Sequence, residues 1–321
     1  MTASPTDDFY QQPESREPPA LNLARLNSLG IIRIGGEDAF EFLQGQFTND
    51  VNQVNGAQTQ LTGYCNPKGR LIGLMHLMAD GGDYLALTDR ELIPALIKRL
   101  KMFVMRSAVT IEQVGDDWAV AGLWGQQIDP FLASLGQHSS EQPLLAFAHH
   151  GFAHPATLLI GPAAELAQLT EAPTPILTDE QHWKWLSITA GQPWLLSDTV
   201  DAFLPQMINL DLIDGVSFQK GCYPGQEIVA RTRYLGKLKR RMFLFEAASS
   251  SVQVGETLHA SGEEQNIGTV VNVVGNANAP CRLLAVIRLQ AMEGPLVTSS
   301  GIELTQLPLP YSITTDDAAE N

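Results

Sequence analysis

The stretch KGCYPGQE, residues 220–227, stands just before the point at which the chain changes character. Upstream of it, segments with helical periodicity alternate with short apolar runs, which predicts an α+β arrangement. Downstream of Met242 only short strands separated by Gly, Ser and Asn follow, and these predict a small β-barrel. We therefore expect a domain boundary near residues 236–241.

The upstream part contains a clear hairpin pattern. Two alternating apolar runs, residues 57–65 and 70–79, flank the turn Asn66-Pro67-Lys68-Gly69. Such runs around a Pro and Gly turn predict two antiparallel strands. Further elements are predicted as strands at 30–34, 84–89, 109–114, 118–124 and 157–161 and as helices at 37–47 and 90–104. The downstream strands are predicted at 242–247, 256–260, 268–274, 282–289 and 302–306.

Composition excludes several classes of protein. The 321 residues carry a net charge of −15 and are 44% apolar, which indicates a globular chain rather than a general nucleic-acid binder. No segment approaches the ~20 apolar residues that span a bilayer. Residues 1–20 are acidic and proline-rich, and we expect a disordered tail there. Three distant cysteines indicate a reducing cytoplasm rather than a disulfide framework.

Cys222 is the candidate functional thiol. It lies between Lys220 and the turn Pro224-Gly225, which predicts the start of a helix with proline in its first turn. A helix N-terminus and a neighbouring cation both lower a thiol pKa, so we expect a thiolate. A half-buried structural thiol is the alternative. Glu227 is expected to oppose the helix dipole and to pair with Arg231, and Cys65 and Cys281 are expected to be packing residues.

A basic run follows the stretch at residues 231–241. It contains Arg231, Arg233, Lys237, Lys239, Arg240 and Arg241, six of the chain's 20 basic residues in 11 positions. In so acidic a chain it predicts a site for an anionic ligand, either a carboxylated cofactor tail or a nucleic-acid phosphate. A solvated surface run is the usual interpretation of such a cluster.

Other candidate residues carry weaker signals. Trp183, Trp185 and Trp194 lie close together, and one or two of them are expected in the core, whereas an accessible indole would suit a planar ligand. His149, His150 and His154 are interpreted as a surface loop rather than a metal site. No phosphate loop, zinc-protease or nucleophile-elbow motif is present.

Two segments resemble a known family. The segment 205–231, PQMINLDLIDGVSFQKGCYPGQEIVAR, resembles the signature K-G-C-Y-x-G-Q-E of the YgfZ group of folate-binding proteins. The run GEDAFEFLQGQFTNDV, followed by YCNPKGR, looks like the opening of the same group, which is related to the glycine cleavage T-protein, an aminomethyltransferase. The match spans most of the chain from about residue 21.

The resemblance implies a three-domain ring with two α+β portions and a C-terminal β-barrel. We accordingly expect a tail at 1–20, an α+β folate-binding domain at 21–120, a second α+β domain at 121–236 and the barrel at 237–321. It also implies tetrahydrofolate or a one-carbon derivative as the cofactor. The partners it implies are iron–sulfur enzymes, including those that thiolate tRNA.

Site residues follow from the same resemblance. Cys222 falls on the motif cysteine, and the motif residues around it are Lys220, Gly221, Tyr223, Gly225, Gln226 and Glu227. Trp183 matches a tryptophan that family members place against folate. Leu29 stands at the position of a second family tryptophan. No metal ligand is implied.

The expected function is that of a cytoplasmic, folate-binding accessory protein that supports iron–sulfur clusters and tRNA modification, without turnover of its own. One alternative is a tetrahydrofolate-dependent aminomethyl or methyl transferase, for which Asp211 and Asp214 are candidate acid–base groups, although both residues suit turn caps better. The other alternative is a nucleic-acid-binding module that uses the 231–241 basic run and contacts tRNA directly, but no RRM, KH or helix-turn-helix pattern supports it.

Overall fold

The structure is a computed structural model that describes residues 20–135, 144–170, 175–234, 238–248, 251–275, 280–291 and 294–313. The strands are β1 (Asn22–Arg25), β2 (Leu29–Gly35), β3 (Gln60–Cys65), β4 (Leu71–Asp80), β5 (Asp83–Asp89), β6 (Thr110–Gln113), β7 (Trp118–Trp124), β8 (Leu145–His149), β9 (Ala156–Pro162), β10 (Ile176–Thr178), β11 (Arg240–Ala247), β12 (Thr257–Ala260), β13 (Gly268–Val274), β14 (Cys281–Arg288), β15 (Leu296–Thr298) and β16 (Glu303–Leu307). The α-helices are α1 (Ala39–Gln44), α2 (Ile93–Val104), α3 (Ile128–Leu135), α4 (Ala163–Thr170), α5 (Glu180–Thr189) and α6 (Gln226–Tyr234).

The chain divides into two compact units whose segments interleave along the sequence. The first unit comprises Met1–Phe42, Val51–Gln60 and Met75–Leu186. The second unit comprises Leu43–Asp50, Leu61–Leu74 and Ser187–Asn321. The motif stretch 220–227 belongs to the second unit, as do the hairpin turn at 66–70 and the residues that follow α1.

One sheet of the first unit has the strand order β10-β1-β7-β9-β8. Its central strands pair antiparallel, and only β1 and β10 run parallel among its pairs in the described residues. Leu23, Leu123 and Leu159 from three of these strands form a buried cluster with Phe131 of α3 and Leu166 of α4. Burial of each such side chain contributes about 1.5–3 kcal/mol, so this cluster holds the two helices on the sheet.

A second sheet has the strand order β3-β4-β5-β2-β6. β2 lies between β5 and β6 and is antiparallel to both. α2 buries Ile93, Leu96 and Leu100, whose spacing of three and four residues places them on one helix face. The hairpin predicted around residues 66–69 is confirmed as β3 and β4.

The C-terminal strands of the second unit form a closed barrel in the order β11-β14-β13-β12-β15-β16. Phe245, Leu258 and Leu283 are buried in its core cluster. Closure pairs every strand on both sides, which removes exposed sheet edges. The predicted α+β fold class and the predicted C-terminal barrel are both confirmed.

Several details differ from the predictions. β1, β8, β10 and β15 were not predicted, because they are short and lack a clear alternation of apolar and polar residues. The division at 21–120, 121–236 and 237–321 stays a prediction. Its first boundary falls within β7, and its second lies at residues 236–237, outside the described residues.

Candidate functional site

The turn that carries Cys222 connects the loop at 215–220 to α6. Cys222 is exposed, whereas Tyr223 beside it is buried. α6 begins at Gln226, and its first hydrogen bonds run from Gln226 N to Tyr223 O and from Ile228 N to Gly225 O. The predicted helix start is therefore confirmed. Pro224 lies in the turn before the helix rather than in its first turn, and Gly225 separates the two.

Lys220 has a different environment from the one that the sequence suggested. Its Nζ donates to the carbonyl oxygens of Gln44 at 2.6 Å, Phe47 at 2.6 Å and Asn49 at 3.0 Å. These three bonds match the three donors of an ammonium group. Lys220 thus holds the chain after α1, and its predicted action on the thiol of Cys222 stays a prediction.

Burial lowers the pKa of Lys220 to about 8, although the nearby carboxylate of Asp50 acts in the opposite direction. The lysine still carries its charge at neutral pH. Its Nζ also lies 5.5 Å from the centroid of the Tyr223 ring, within the range of a cation–π contact. Burial, with a smaller contribution from Cys65, raises the pKa of Tyr223, so the phenol is neutral.

The loop whose carbonyl groups accept hydrogen bonds from Lys220 is held in place by two polar side chains. Neither was predicted as a site residue. Thr48 Oγ1 donates to Gly215 O at 2.7 Å and accepts from Gly63 N at 2.7 Å. Asn49 Nδ2 donates to Leu61 O at 2.8 Å and to Asp214 O at 2.5 Å. Both residues are buried. The sequence signal for this role was a Thr-Asn pair directly after the predicted helix at 37–47.

The two turns of the family motif meet at a pair of glycines. Gly225 has φ of +80°, and a Cβ there would lie 2.4 Å from Asn66 O and 2.5 Å from Gly69 Cα. Gly69 has φ of +72°, and a Cβ there would lie 3.0 Å from Ile228 Cβ. Only glycine fits this approach without strain. Gly221, by contrast, faces open space, as a Cβ there would meet nothing within 4 Å.

The remaining motif residues lie in the first turn of α6. Gln226 is half-buried and Glu227 is exposed. Glu227 lies at the helix N-terminus, where a carboxylate stabilises the helix dipole, as predicted. The predicted pair of Glu227 with Arg231 is wrong, because no ion pair joins them within this fully described helix.

Trp183 lies in α5 of the first unit and is 2% exposed. Its indole packs on Gly122, where a Cβ would lie 2.2 Å from its Cε3 atom. The ring centroids of Phe152 and His149 lie 4.9 Å and 5.3 Å from it. Trp183 and Trp185 are core residues, as expected of one or two of the tryptophans. Leu29, 5% exposed, begins β2 opposite Asp89.

His149 is the main correction to the sequence interpretation. It ends β8 and is buried, so it is not part of a surface loop. Its ring centroid lies 4.9 Å from that of His76 on β4, in an edge-to-face arrangement. Burial, and then the charge of His149, lower the pKa of His76 well below its ordinary value. Among the described residues no group of three His, Cys, Asp or Glu could hold a metal.

The basic run does not form one exposed patch. Lys237 lies outside the described residues. Arg241 is buried, with its Nη1 at 2.6 Å from Asp211 Oδ1 and its Nη2 at 3.0 Å from Asp211 Oδ2. Its predicted part in an anion site is therefore wrong, because the charge is already neutralised. Arg231 and Lys239 are exposed, Arg240 is half-buried, and exposed Arg233 lies over the Phe218 ring at 4.2 Å.

Asp211 and Asp214 have structural surroundings in the second unit. The Asp211 carboxylate is held by Arg241, which leaves it poorly placed to act as a base. Asp214 has φ of +57° at a turn, and its backbone oxygen accepts from Asn49. Asp214 thus lies at a turn, whereas the carboxylate of Asp211 forms an ion pair rather than the turn cap that the sequence suggested.

The fold defines the class of protein. The chain is similar to the glycine cleavage system aminomethyltransferase T from Bartonella henselae, with a TM-score of 0.68 and 13% identity over 90% of this chain and 85% of that chain. It is thus an α+β protein whose fold is similar to that of aminomethyltransferase T, with a closed C-terminal barrel. No helix among the described residues has the length and apolar character needed to cross a bilayer.

Sequence comparison then identifies the family. The "tRNA-modifying protein YgfZ" of Pectobacterium carotovorum is 30% identical over 326 residues, covering 95% of this chain and 98% of that protein. Its counterpart in Pectobacterium atrosepticum is 31% identical over 310 residues, covering 92% and 93%. No family model matches the chain. The chain belongs to the YgfZ family of tRNA-modifying proteins, which confirms the resemblance drawn from the motif.

Proposed function

We propose that this protein is a folate-binding accessory factor that supports iron–sulfur clusters in enzymes that modify tRNA, with Cys222 as its functional thiol. The names of its relatives support the link to tRNA modification. The aminomethyltransferase-like fold and the family resemblance support tetrahydrofolate, or a one-carbon derivative of it, as the ligand. Three cysteines that are far apart in the sequence and form no disulfide support a cytoplasmic location.

One observation carries the role of Cys222. Its side chain is exposed, while the turn around it is fixed at three points. Lys220 is bound by three carbonyl groups, Tyr223 is buried, and Gly225 lies against Gly69. A turn that only reversed the chain would not need an exposed cysteine at its centre. This arrangement supports presentation of a thiol to a partner or substrate.

The two residues predicted to contact folate, Trp183 and Leu29, are not placed to bind it. Trp183 is enclosed by Gly122, Phe152 and His149, and Leu29 is buried at the start of its strand. Neither offers a free face to a pterin. The proposal of folate as a ligand therefore rests on the fold and the family resemblance rather than on these two residues, and no chemical step is derived through it.

The transferase alternative has less support than the accessory role. One of its two candidate acid–base groups, Asp211, is committed to an ion pair with Arg241. Incubation of the pure protein with tetrahydrofolate and methylamine donors tests this alternative directly. Measurable turnover would favour the enzyme over the accessory role.

The test of Cys222 combines a chemical and a cellular measurement. Burial raises the pKa of Cys65 to about 12 and raises that of Cys281, so alkylation by iodoacetamide near neutral pH reports on Cys222. We expect Cys222→Ser to abolish this labelling and to reduce thiolated tRNA nucleosides in a host that lacks its own copy of the protein. Folate binding and thermal stability should not change.

Cys281→Ser serves as the control for loss of a thiol. Its labelling near neutral pH and its support of tRNA thiolation should match the wild type, provided that it folds. Wild-type levels of modified nucleosides in the Cys222→Ser strain would show that the thiol has no functional role. Folate titration by intrinsic fluorescence is scored separately, since absence of binding would remove the folate component alone.

A further inference from the structure

Two arginines of the barrel stand directly opposite each other. Arg240 begins β11, and its Cα partner across the antiparallel ladder is Arg288 at the end of β14. Both side chains are half-buried. Cβ atoms of directly opposed residues lie about 4.5–5.5 Å apart, and like charges in this position destabilise a sheet. A pair of this kind therefore needs a compensating interaction.

A third arginine approaches the pair from the hairpin turn of the same unit. Arg70 is held in place because its Nη1 donates to the carbonyl oxygens of Ala202 at 2.5 Å and Asp201 at 3.3 Å. Burial lowers the pKa of Arg240, and the positive charges of Arg288 and Arg70 lower it further. The positive charges of Arg288 and Arg70 therefore both act on the guanidinium group of Arg240.

No carboxylate of the described residues forms an ion pair with Arg240 or Arg288, although the chain has 35 acidic residues. The next residue, Arg241, shows the contrast, because it is paired with Asp211 through two hydrogen bonds. A cationic group left unpaired on a strongly acidic protein indicates a site for an external anion.

We propose that Arg70, Arg240 and Arg288 bind a backbone phosphate of RNA. Guanidinium groups bind phosphate oxygens through paired N–H donors, and RNA supplies such groups in series. The choice of RNA as the ligand rests on the proposed function. Arg70 adjoins Gly69, and Gly69 touches Gly225 in the turn of Cys222, so the turn that carries Arg70 contacts the turn that carries the thiol.

The experiment uses Arg240→Gln and Arg288→Gln, singly and together, with the full chain. Binding of fluorescein-labelled bulk tRNA is measured by anisotropy between 50 and 200 mM salt. We expect the double variant to bind roughly tenfold more weakly at low salt, and its slope of log affinity against log salt to fall by about 0.7–0.9 per lost phosphate contact. In phosphate-free buffer, relief of the repulsion should raise its Tm by about 1 °C.

The matched control is Lys101→Gln with Arg106→Gln, which removes the same charge from exposed positions on and just after α2. It should keep the wild-type affinity and slope. An equal loss of affinity in the control would mean that net charge alone explains the effect, and the proposal would be overturned. Unchanged affinity in the double variant would overturn it as well. Added inorganic phosphate should raise the Tm of the wild type more than that of the double variant, and equal shifts would contradict the site.

The folate measurement separates this inference from the proposed function. If tRNA binding is unaffected by the arginine variants while Cys222→Ser loses tRNA thiolation, the phosphate site alone is wrong. The arginine variants could instead weaken binding of folate polyglutamate but not of tRNA. In that case the three arginines bind carboxylates, and the proposal that they bind RNA is wrong.

Discussion

Gly225 and Gly69 touch through their backbones, and no side chain fits between them. A Cβ on Gly225 would lie 2.5 Å from Gly69 Cα, well inside any real contact distance. The two residues are 156 positions apart in sequence, one in the cysteine motif and one in the β3–β4 turn. This contact explains why each turn carries a glycine with positive φ. It also fixes the position of the Cys222 turn on the hairpin.

Gly225→Ala is therefore expected to be strongly destabilising. The alanine would adopt an unfavourable backbone conformation, at a cost of about 1–2 kcal/mol, and would clash with Asn66 O. We expect a loss of at least ~2 kcal/mol in the free energy of unfolding, measured by chemical denaturation. Gly221→Ala is the control, since its Cβ would meet nothing. Equal stability of the two variants would show that the turn can shift freely.

Lys220→Met should release the chain after α1. The substitution leaves the carbonyl groups of Gln44, Phe47 and Asn49 without their donor, and we expect a loss of about 2 kcal/mol or more. Hydrogen exchange of residues 44–50 should increase. Lys239→Met, at an exposed position, should leave both measurements unchanged. Wild-type protection of residues 44–50 in Lys220→Met would rule out this role.

Lys220 should also give stability a specific pH dependence. Its pKa is about 8 in the folded protein against an ordinary value of 10.5, so the unfolded chain binds more protons between these limits. The free energy of unfolding of the wild type should consequently rise with pH from about 8 to 10.5, relative to Lys220→Met. Parallel stability curves for the two proteins across this window would contradict the lowered pKa.

His76 should make the protein sensitive to acid. Burial and the charge of His149 hold its pKa well below 6.5, so the folded protein keeps it neutral while the unfolded chain takes up a proton. Stability should fall as the pH drops below 6.5, by up to about 1.4 kcal/mol per pH unit from this group. His76→Gln should remove that part of the slope, and His154→Gln should retain it. If the slope of unfolding free energy against pH is unchanged in His76→Gln, another group causes the acid sensitivity.

Arg241 and Arg240 should respond in opposite ways to loss of charge. Arg241→Leu leaves Asp211 buried without its partner, and we expect a loss of about 3–5 kcal/mol. The double variant with Asp211→Leu should recover much of this loss. Arg240→Gln should be neutral or slightly stabilising. A small effect of Arg241→Leu would mean that Asp211 finds another partner or is protonated at little cost.

Local sequence patterns were sufficient for the fold class and for the position of the thiol. Alternating apolar residues predicted the β3–β4 hairpin and the strands of the barrel, since each strand buries one face. Pro224 and Gly225 predicted the turn before α6. These features depend on residues that are near neighbours in the chain, whose spacing is visible without any knowledge of distant contacts.

Long-range packing decided the environment of each charged and aromatic group. Arg240 and Arg241 are adjacent and chemically identical, yet one opposes Arg288 and the other meets Asp211, because consecutive residues of a strand face opposite sides. His149 ends β8, which pairs with β9, and its ring contacts that of Trp183. The hydrogen bonds of Lys220 go to carbonyl groups more than 170 positions away in the sequence. The free energy of a polar group depends on what surrounds it after folding, and local periodicity carries no record of those partners.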